Sequence, residues 1–289
     1  ARKTVRRTTR RSPRRTARRS PRRSPRRTAR RSPRRTARGS RENTSKTRKD
    51  ISPTKIKLSG LPTIFLINLK RDVEKYKKYD KDVKKGRIKK YEACDGMKLS
   101  RANEYYDRLQ IMWNAGEKKR KCGAGILNSH MNLIKRIADK KINHVLVIED
   151  DAIVTWDDLK KVPFSKFPQD SMIYLGGTLH PPGSFKDKQW SHSEVIKGFK
   201  KGLNTINPTK YRIFGGHGYY FPRWELARDM YEIFSNKQKL KLLDTEMTYL
   251  QKKGIIKYFY YPAVSYLHIE DAKKGVHAGY MFRDMKKYG

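Results

Sequence analysis

The sequence predicts an α/β domain over residues 59–289, behind a basic arm. Three observations predict it. Val145-Leu146-Val147-Ile148 is an uninterrupted aliphatic run, the pattern of a strand buried on both faces. Ile126, Leu127, Leu133, Ile134 and Ile137 recur at spacings of three and four, which predicts a helix over 125–140. Strand and helix signals alternate early in the chain and give way to irregular segments later.

The elements follow in order. Thr63-Ile64-Phe65-Leu66-Ile67-Asn68-Leu69 reads as a buried strand, and Asp72 as the N-cap of a charged helix running to about Lys85. A short strand at 88–93 ends in the turn signal Cys94-Asp95-Gly96. Residues 100–121 are polar and show no period. After the 125–140 helix come strands at 145–148 and 171–175, the latter ending in Gly176-Gly177. Residues 178–210 read as loop and hairpin. Strands at 211–214 and 219–221 flank Gly215-Gly216-His217-Gly218. Helices at 223–235 and 242–253 and strands at 255–260 and 263–267 close the domain.

The arm and linker, residues 1–58, are of another kind. Arg-Arg-Ser-Pro-Arg-Arg-Thr-Ala occupies 10–17, 22–29 and 30–37, with a half copy at 18–21. Residues 1–50 hold 23 Lys/Arg against two Asp/Glu, half of the net charge of +42. A segment so charged and so poor in apolar residues cannot offset its ordering entropy, so disorder is expected. Its chemistry suits a sequence-independent polyanion, either nucleic acid or an anionic membrane surface. The Ser-Pro and Arg-Arg-Thr units resemble kinase targets, and phosphate there would weaken such binding.

Composition excludes several classes. Cys94 and Cys122 form no CxxC and have no histidine at zinc-finger spacing, so two reduced thiols in an intracellular protein are expected. The longest apolar-rich stretch, Leu61–Leu69, is far short of the ~20 residues of a membrane span. Nor does the N-terminus carry an apolar secretory core. The expected location is cytoplasmic, with a nuclear or virion-associated one compatible with the arm.

Chemistry concentrates where the 145–148 strand runs into Glu149-Asp150-Asp151. Three adjacent carboxylates at a buried strand end repel one another and are costly to desolvate. A divalent cation relieves that cost, and Mg²⁺ or Mn²⁺ takes one or two carboxylates together with substrate phosphates. Alternation places Glu149 and Asp151 on one side, with Asp150 pointing elsewhere. Helix capping explains one or two acids well and three poorly. Gly216 and its neighbours suit either a plain turn or close backbone approach to a ligand, with His217, Tyr219 and Tyr220 beside them. Asp244 is either an N-cap or a general base, with Glu246 in reserve. Helical spacing puts His130 on one apolar face with Ile126 and Ile134, as a core histidine. His217, His268 and His277 are less constrained, and a late histidine suits an additional metal ligand. Arg71 is either a solvated cation or a diphosphate partner.

With these residues in hand, the region from about 60 to 270 resembles glycosyltransferase family 25. Ile67-Asn68-Leu69 with Arg71 and Lys75 is similar to the family's first strand and turn. Ala93, Asp95 and Gly96 match its A-x-D-G. Gly125, Ser129 and His130 match its helix motif, and Glu149-Asp150-Asp151 its EDD. Gly216 to Tyr220, Asp244 and Tyr261-Pro262 complete the order. The resemblance implies a GT-A type nucleotide-sugar-binding fold with a mixed central sheet, a UDP-linked donor, Mn²⁺ or Mg²⁺, and inversion at the anomeric carbon. It implies Glu149, Asp151 and His268 as metal ligands, and Asp244 or Glu246 as base. Donor contacts would come from Asn68, Arg71, Ser129, His130, Asp150, Gly216, His217 and Tyr219. The acceptor would be a hydroxyl on a glycan, a lipid-linked sugar or a protein. The competing reading is an inactive scaffold of this kind whose arm binds nucleic acid or another polyanion. A third, a phosphodiesterase or nuclease, lacks the His/Asp clusters of a two-metal site.

Overall fold

The computed structural model describes residues 58–100, 103–109, 116–154, 156–182, 192–267 and 280–281. The repeat arm, His268 and His277 lie outside them.

β1 (Thr63–Asn68) is the first strand. The single helix expected at 72–85 is instead two short ones, α1 (Val73–Lys77) and α2 (Asp80–Lys84). Asp72 sits at the N-cap position of α1 but makes no side-chain capping bond. The break falls at Tyr79, whose ring is buried and whose hydroxyl donates to the Ala152 carbonyl. A lysine-rich segment without an apolar stripe gains little from staying straight, and burial of one aromatic ring decides the bend. β2 (Ile88–Glu92) then leads into a 3₁₀ turn at Gly96–Lys98, where the Asp95 carboxylate accepts from Met97 N–H at 3.0 Å. The silent region 100–121 contains α3 (Glu104–Arg108), capped by Asn103.

α4 runs Glu117–Asp139, starting earlier than the apolar period shows. Its first turns are Lys/Arg-rich and carry no stripe to read. They are held by a glycine crossing. A Cβ on Gly125 would lie 2.6 Å from Gly96 N, and one on Gly96 would lie 2.0 Å from the Lys121 carbonyl oxygen.

β3 (Val145–Glu149), β4 (Ala152–Val154) and α5 (Trp156–Lys160) follow, then β5 (Met172–Tyr174). The segment read as loop and hairpin holds β6 (Thr178–His180), α6 (His192–Lys197) and β7 (Gly202–Thr205). β8 (Arg212–Phe214) and β9 (Tyr219–Phe221) flank the glycine cluster. α7 (Trp224–Ser235), α8 (Leu243–Lys252), β10 (Ile256–Tyr261), β11 (Ser265–Leu267) and β12 (Tyr280–Met281) complete the described chain.

The central sheet has seven strands in the order β2-β1-β3-β9-β5-β10-β7. β1 is parallel to β2 and β3, and β5 to β10; β9 runs antiparallel to both β3 and β5, and β7 to β10. This is the mixed α/β sheet that was expected. Both faces are covered. Phe65, Ile67, Val145 and Val147 pack into a core shared with Leu127, Ile134 and Ile137 of α4, Phe234 of α7 and Leu250 of α8. Ile64, Leu66, Leu146 and Ile148 face the opposite core, with Tyr79, Phe164 and Phe167. All four aliphatic residues of β3 are fully buried. At roughly 1.5–3 kcal/mol each, they anchor a strand end that must carry three acids. Among the described residues, no helix is long and apolar enough to cross a membrane.

Candidate active site

The acids emerge where β1 and β3 end and β9 begins, since Ile67 pairs with Glu149 and Val147 with Tyr219. Ligands of open α/β sheets bind at the carboxyl ends of strands. A cleft of about 280 Å³ opens there, lined among others by Arg71, Lys75, Ile126, Ser129 and His130 with all three acids.

The three carboxylates have three different surroundings. Glu149 continues the β3 alternation toward α4. His130 Nε2 lies 3.0 Å from its Oε1, and His130 Nδ1 lies 2.8 Å from the Tyr219 hydroxyl. Burial, and then the Glu149 charge, hold the Tyr219 hydroxyl protonated far above the ordinary tyrosine range. The Glu149 carboxylate can only accept, so His130 Nε2 donates to it, and the Tyr219 hydroxyl partners Nδ1. Burial alone would push the Glu149 carboxyl up, but the His130 bond and nearby His217 outweigh it and hold the group well below the usual carboxylate range.

Asp150 turns away. Its Oδ2 accepts from Asn68 Nδ2 at 2.8 Å, and Lys75 Nζ stands 3.7 Å from its Oδ1. Asp151 is the unsatisfied member. Its Oδ1 is buried without a hydrogen-bond partner, and burial followed by the Glu149 charge pushes its carboxyl up to about 6.

The glycine cluster closes over these groups, and its glycines are required by space. Gly215 has φ +102°, and a Cβ there would lie 2.2 Å from the His217 ring. One on Gly216 would lie 2.4 Å from Glu149 Oε1. His217 Nδ1 stands 3.9 Å from Glu149 Oε2, and its Nε2 is buried without a partner. Burial would lower the His217 pKa; Glu149, Asp151 and Asp244 together raise it.

Asp244 joins this group from α8. The N-cap reading fails, because the helix starts at Leu243 and the carboxylate caps nothing of its own. Its Oδ1 accepts from Gly215 N–H at 3.1 Å, tying α8 to the glycine cluster. Burial, and then Glu149, raise its pKa.

Other sequence-predicted residues serve differently. Glu246 points to another neighbourhood: it binds Lys237 Nζ and, at 2.8 Å, Lys241 N–H, which accounts for both its oxygens. As a reserve base it is therefore already committed. Ser129 Oγ donates to the Gly125 carbonyl at 2.7 Å and accepts from Cys94 N–H at 2.8 Å, so it fastens α4 to the turn after β2. Arg71 pairs with Asp95 on the cleft wall. His130 is buried, as the core reading held, but it does not share a buried face with Ile126, which is 51 % exposed at the cleft. Two participants went unassigned in the sequence. Asp95 stood in a motif without a role, and Ser265, whose hydroxyl donates to the His217 carbonyl, had no signal beyond its late strand.

This combination of a strand ending in EDD, a helix histidine bound to its first acid and a glycine cluster tied to a later aspartate is matched by one family model. The description is glycosyltransferase family 25 (LPS biosynthesis protein), and residues 61–247 are matched. The chain belongs to glycosyltransferase family 25. The match takes in every element of the site from β1 to Asp244. No curated protein matches the sequence.

A divalent cation fits the acids in part. Among the described residues, no three His, Cys, Asp or Glu side chains form a group that could hold the ion. The orphaned Asp151 oxygen, facing a net negative surrounding, is nevertheless the donor that a Mg²⁺ or Mn²⁺ shared with substrate phosphates needs.

Proposed function

We propose that this family 25 member is a metal-dependent, inverting transferase that moves a hexose from a UDP-sugar to a hydroxyl acceptor. The observation that carries the proposal is the gathering of Glu149, His217 and Asp244 at the glycine cluster, with Asp151 next to Glu149 at the cleft.

Asp151 would hold the Mn²⁺ or Mg²⁺, with Glu149 beside it and His268 lying outside the described residues. When bound, the cation supplies neutralisation of the negative charge that grows on the departing diphosphate. The chain's own residues do the rest. Arg71 and Lys75, each about half exposed on the cleft wall, offer positive charge to the diphosphate. Tyr219 and His130 fix the Glu149 carboxylate, so the acids cannot reorganise when the donor enters. The missing side chain at Gly216 leaves room for the Glu149 carboxylate, whose Oε1 a Cβ there would meet at 2.4 Å.

Inversion needs a base on the face opposite the leaving group. Asp244 suits that role, because Gly215 N–H holds one oxygen and burial raises its proton affinity. The acceptor hydroxyl would give its proton to Asp244 as the new glycosidic bond forms. The arm, residues 1–50, would bind a polyanion independently of this chemistry.

The test is UDP release from UDP-glucose and UDP-galactose with Mn²⁺. Asp244→Asn is expected to lower turnover by ~10²-fold or more. Glu246→Gln should keep its turnover per folded molecule. Wild-type turnover in Asp244→Asn removes the base from the mechanism.

A further inference from the structure

A second concavity, of about 490 Å³, opens between β8, the segment before α8 and α8 itself. Arg212, Lys237, Lys239, Lys241 and Lys252 line it against the single carboxylate of Glu246, with the ring of Tyr249. A cluster of lysines on a chain this basic is most often a solvated face. Three features make this one a built pocket.

First, its walls are locked. The Gln251 side chain brackets one residue of β8, accepting from Ile213 N–H at 3.0 Å and donating to the Ile213 carbonyl at 2.6 Å. Arg212, beside Ile213, thereby lines the same concavity as Thr248 and Lys252 of α8. Second, the charges are left over. Glu246 is spent on Lys237 and the Lys241 backbone, while the side chains of Lys239, Lys241 and Lys252 have no ion-pair partner among the described residues. The Nε of Arg212 is buried and unpartnered, and burial lowers its pKa, as a guanidinium without an anion requires. A buried unpaired donor is costly, and an anionic ligand oxygen would satisfy it. Third, the pocket carries a partly exposed aromatic ring. Tyr249 is 41 % exposed, with Lys237 Nζ over the ring at 4.1 Å and Lys253 Nζ 5.7 Å from its centroid, so the uncovered part of the ring lies among cations.

The pocket also adjoins the proposed base. Thr245 and Glu246 line it, and Asp244 immediately precedes them on α8. The strand carrying Arg212 runs on through Phe214 to Gly215, whose N–H binds Asp244.

We infer that this pocket recognises the acceptor, and that the acceptor is a sugar bearing a phosphate monoester: the phosphate pairs with Arg212, Lys241 and Lys252, and the sugar packs against the part of the Tyr249 ring that Lys237 leaves uncovered. This rests on the transferase reading and names the substrate class it would use.

Binding of glucose 6-phosphate, glucose and inorganic phosphate to the full-length chain tests it by calorimetry, with UDP present to fill the donor cleft. The reference is an R212Q/K241Q/K252Q variant, which retains the arm and so its contribution. Glucose 6-phosphate should bind wild type at least about tenfold more tightly than glucose, and the variant should lose that advantage while melting as wild type does. Lys252→Gln alone should show a smaller loss in the same direction, should the triple variant fold poorly. Tyr249→Ala should weaken glucose 6-phosphate but not inorganic phosphate. Equal binding by wild type and both lysine variants overturns the pocket and leaves the arm as the phosphate binder. Equal affinity for the two phosphates, unmoved by Tyr249→Ala, overturns the sugar. Donor hydrolysis by wild type is read separately: its absence defeats the transferase reading, whereas its presence without selective glucose 6-phosphate binding defeats only this inference.

Discussion

At Tyr219, one hydroxyl supports a carboxylate it does not touch. It partners His130 Nδ1, and His130 Nε2 in turn donates to Glu149. Tyr219→Phe removes the donor and leaves a buried ring nitrogen without a partner. Stability should fall by about 1–3 kcal/mol in urea unfolding, because an unmet buried acceptor costs its full desolvation. An unchanged midpoint with an unchanged slope would show that Nδ1 finds another partner. At this scale the sequence is unevenly legible. Glu149 and Asp151 were visible as acids, but their division of labour was not. Which carboxylate is neutralised depends on His130, Asn68 and Lys75, all distant in the chain. Asp244 and Glu246 looked interchangeable two residues apart. Only the partners Gly215 and Lys237 separate them.

Among the elements, the ones that packed by period were legible and the ones that packed by close approach were not. β3 and the core half of α4 announced themselves, since their apolar residues repeat at the spacing of the structure they form. The early start of α4 did not, because it rests on Gly125 meeting Gly96. β7 was hidden for another reason: Gly202–Thr205 has little strand character of its own and is recruited by pairing with Tyr258–Tyr261. The bend between α1 and α2 depends on Ala152, far along the chain. The glycine crossing makes a firm prediction. A Cβ at Gly125 meets Gly96 backbone atoms at 2.6 and 2.7 Å, with no flexible side chain to give way. Gly125→Ala should therefore cost roughly 1–3 kcal/mol and separate Ser129 from Cys94 N–H. Gly198→Ala, where the nearest atom is 3.4 Å away, should stay within about 0.5 kcal/mol. Equal thermal shifts for the two would mean that the crossing has slack.

Over the whole molecule, charge and fold are divided unequally. The first 50 residues carry half the net charge and Val5 as their one large apolar side chain, while the family match begins at residue 61. A cleft lined by acids lies within the matched region, and a pocket lined by lysines extends past its end to Lys252 of the same α/β domain. Opposite charge at the two places suits a reaction that brings a cation-dependent donor to one and an anionic acceptor to the other. The family was legible from the order of its motifs. The lysine pocket was not, because Arg212, Lys237, Lys241 and Lys252 form no motif and meet only once α8 is locked to β8.

Three acids end a buried strand, and isothermal calorimetry of UDP binding asks why most directly. Wild type should bind UDP far more tightly with Mn²⁺ than with a chelator, and Asp151→Asn should lose that difference, since it removes the unsatisfied carboxylate. Equal UDP affinity in wild type with Mn²⁺ and with the chelator would contradict the account, because the acids would then be no part of a nucleotide–metal site.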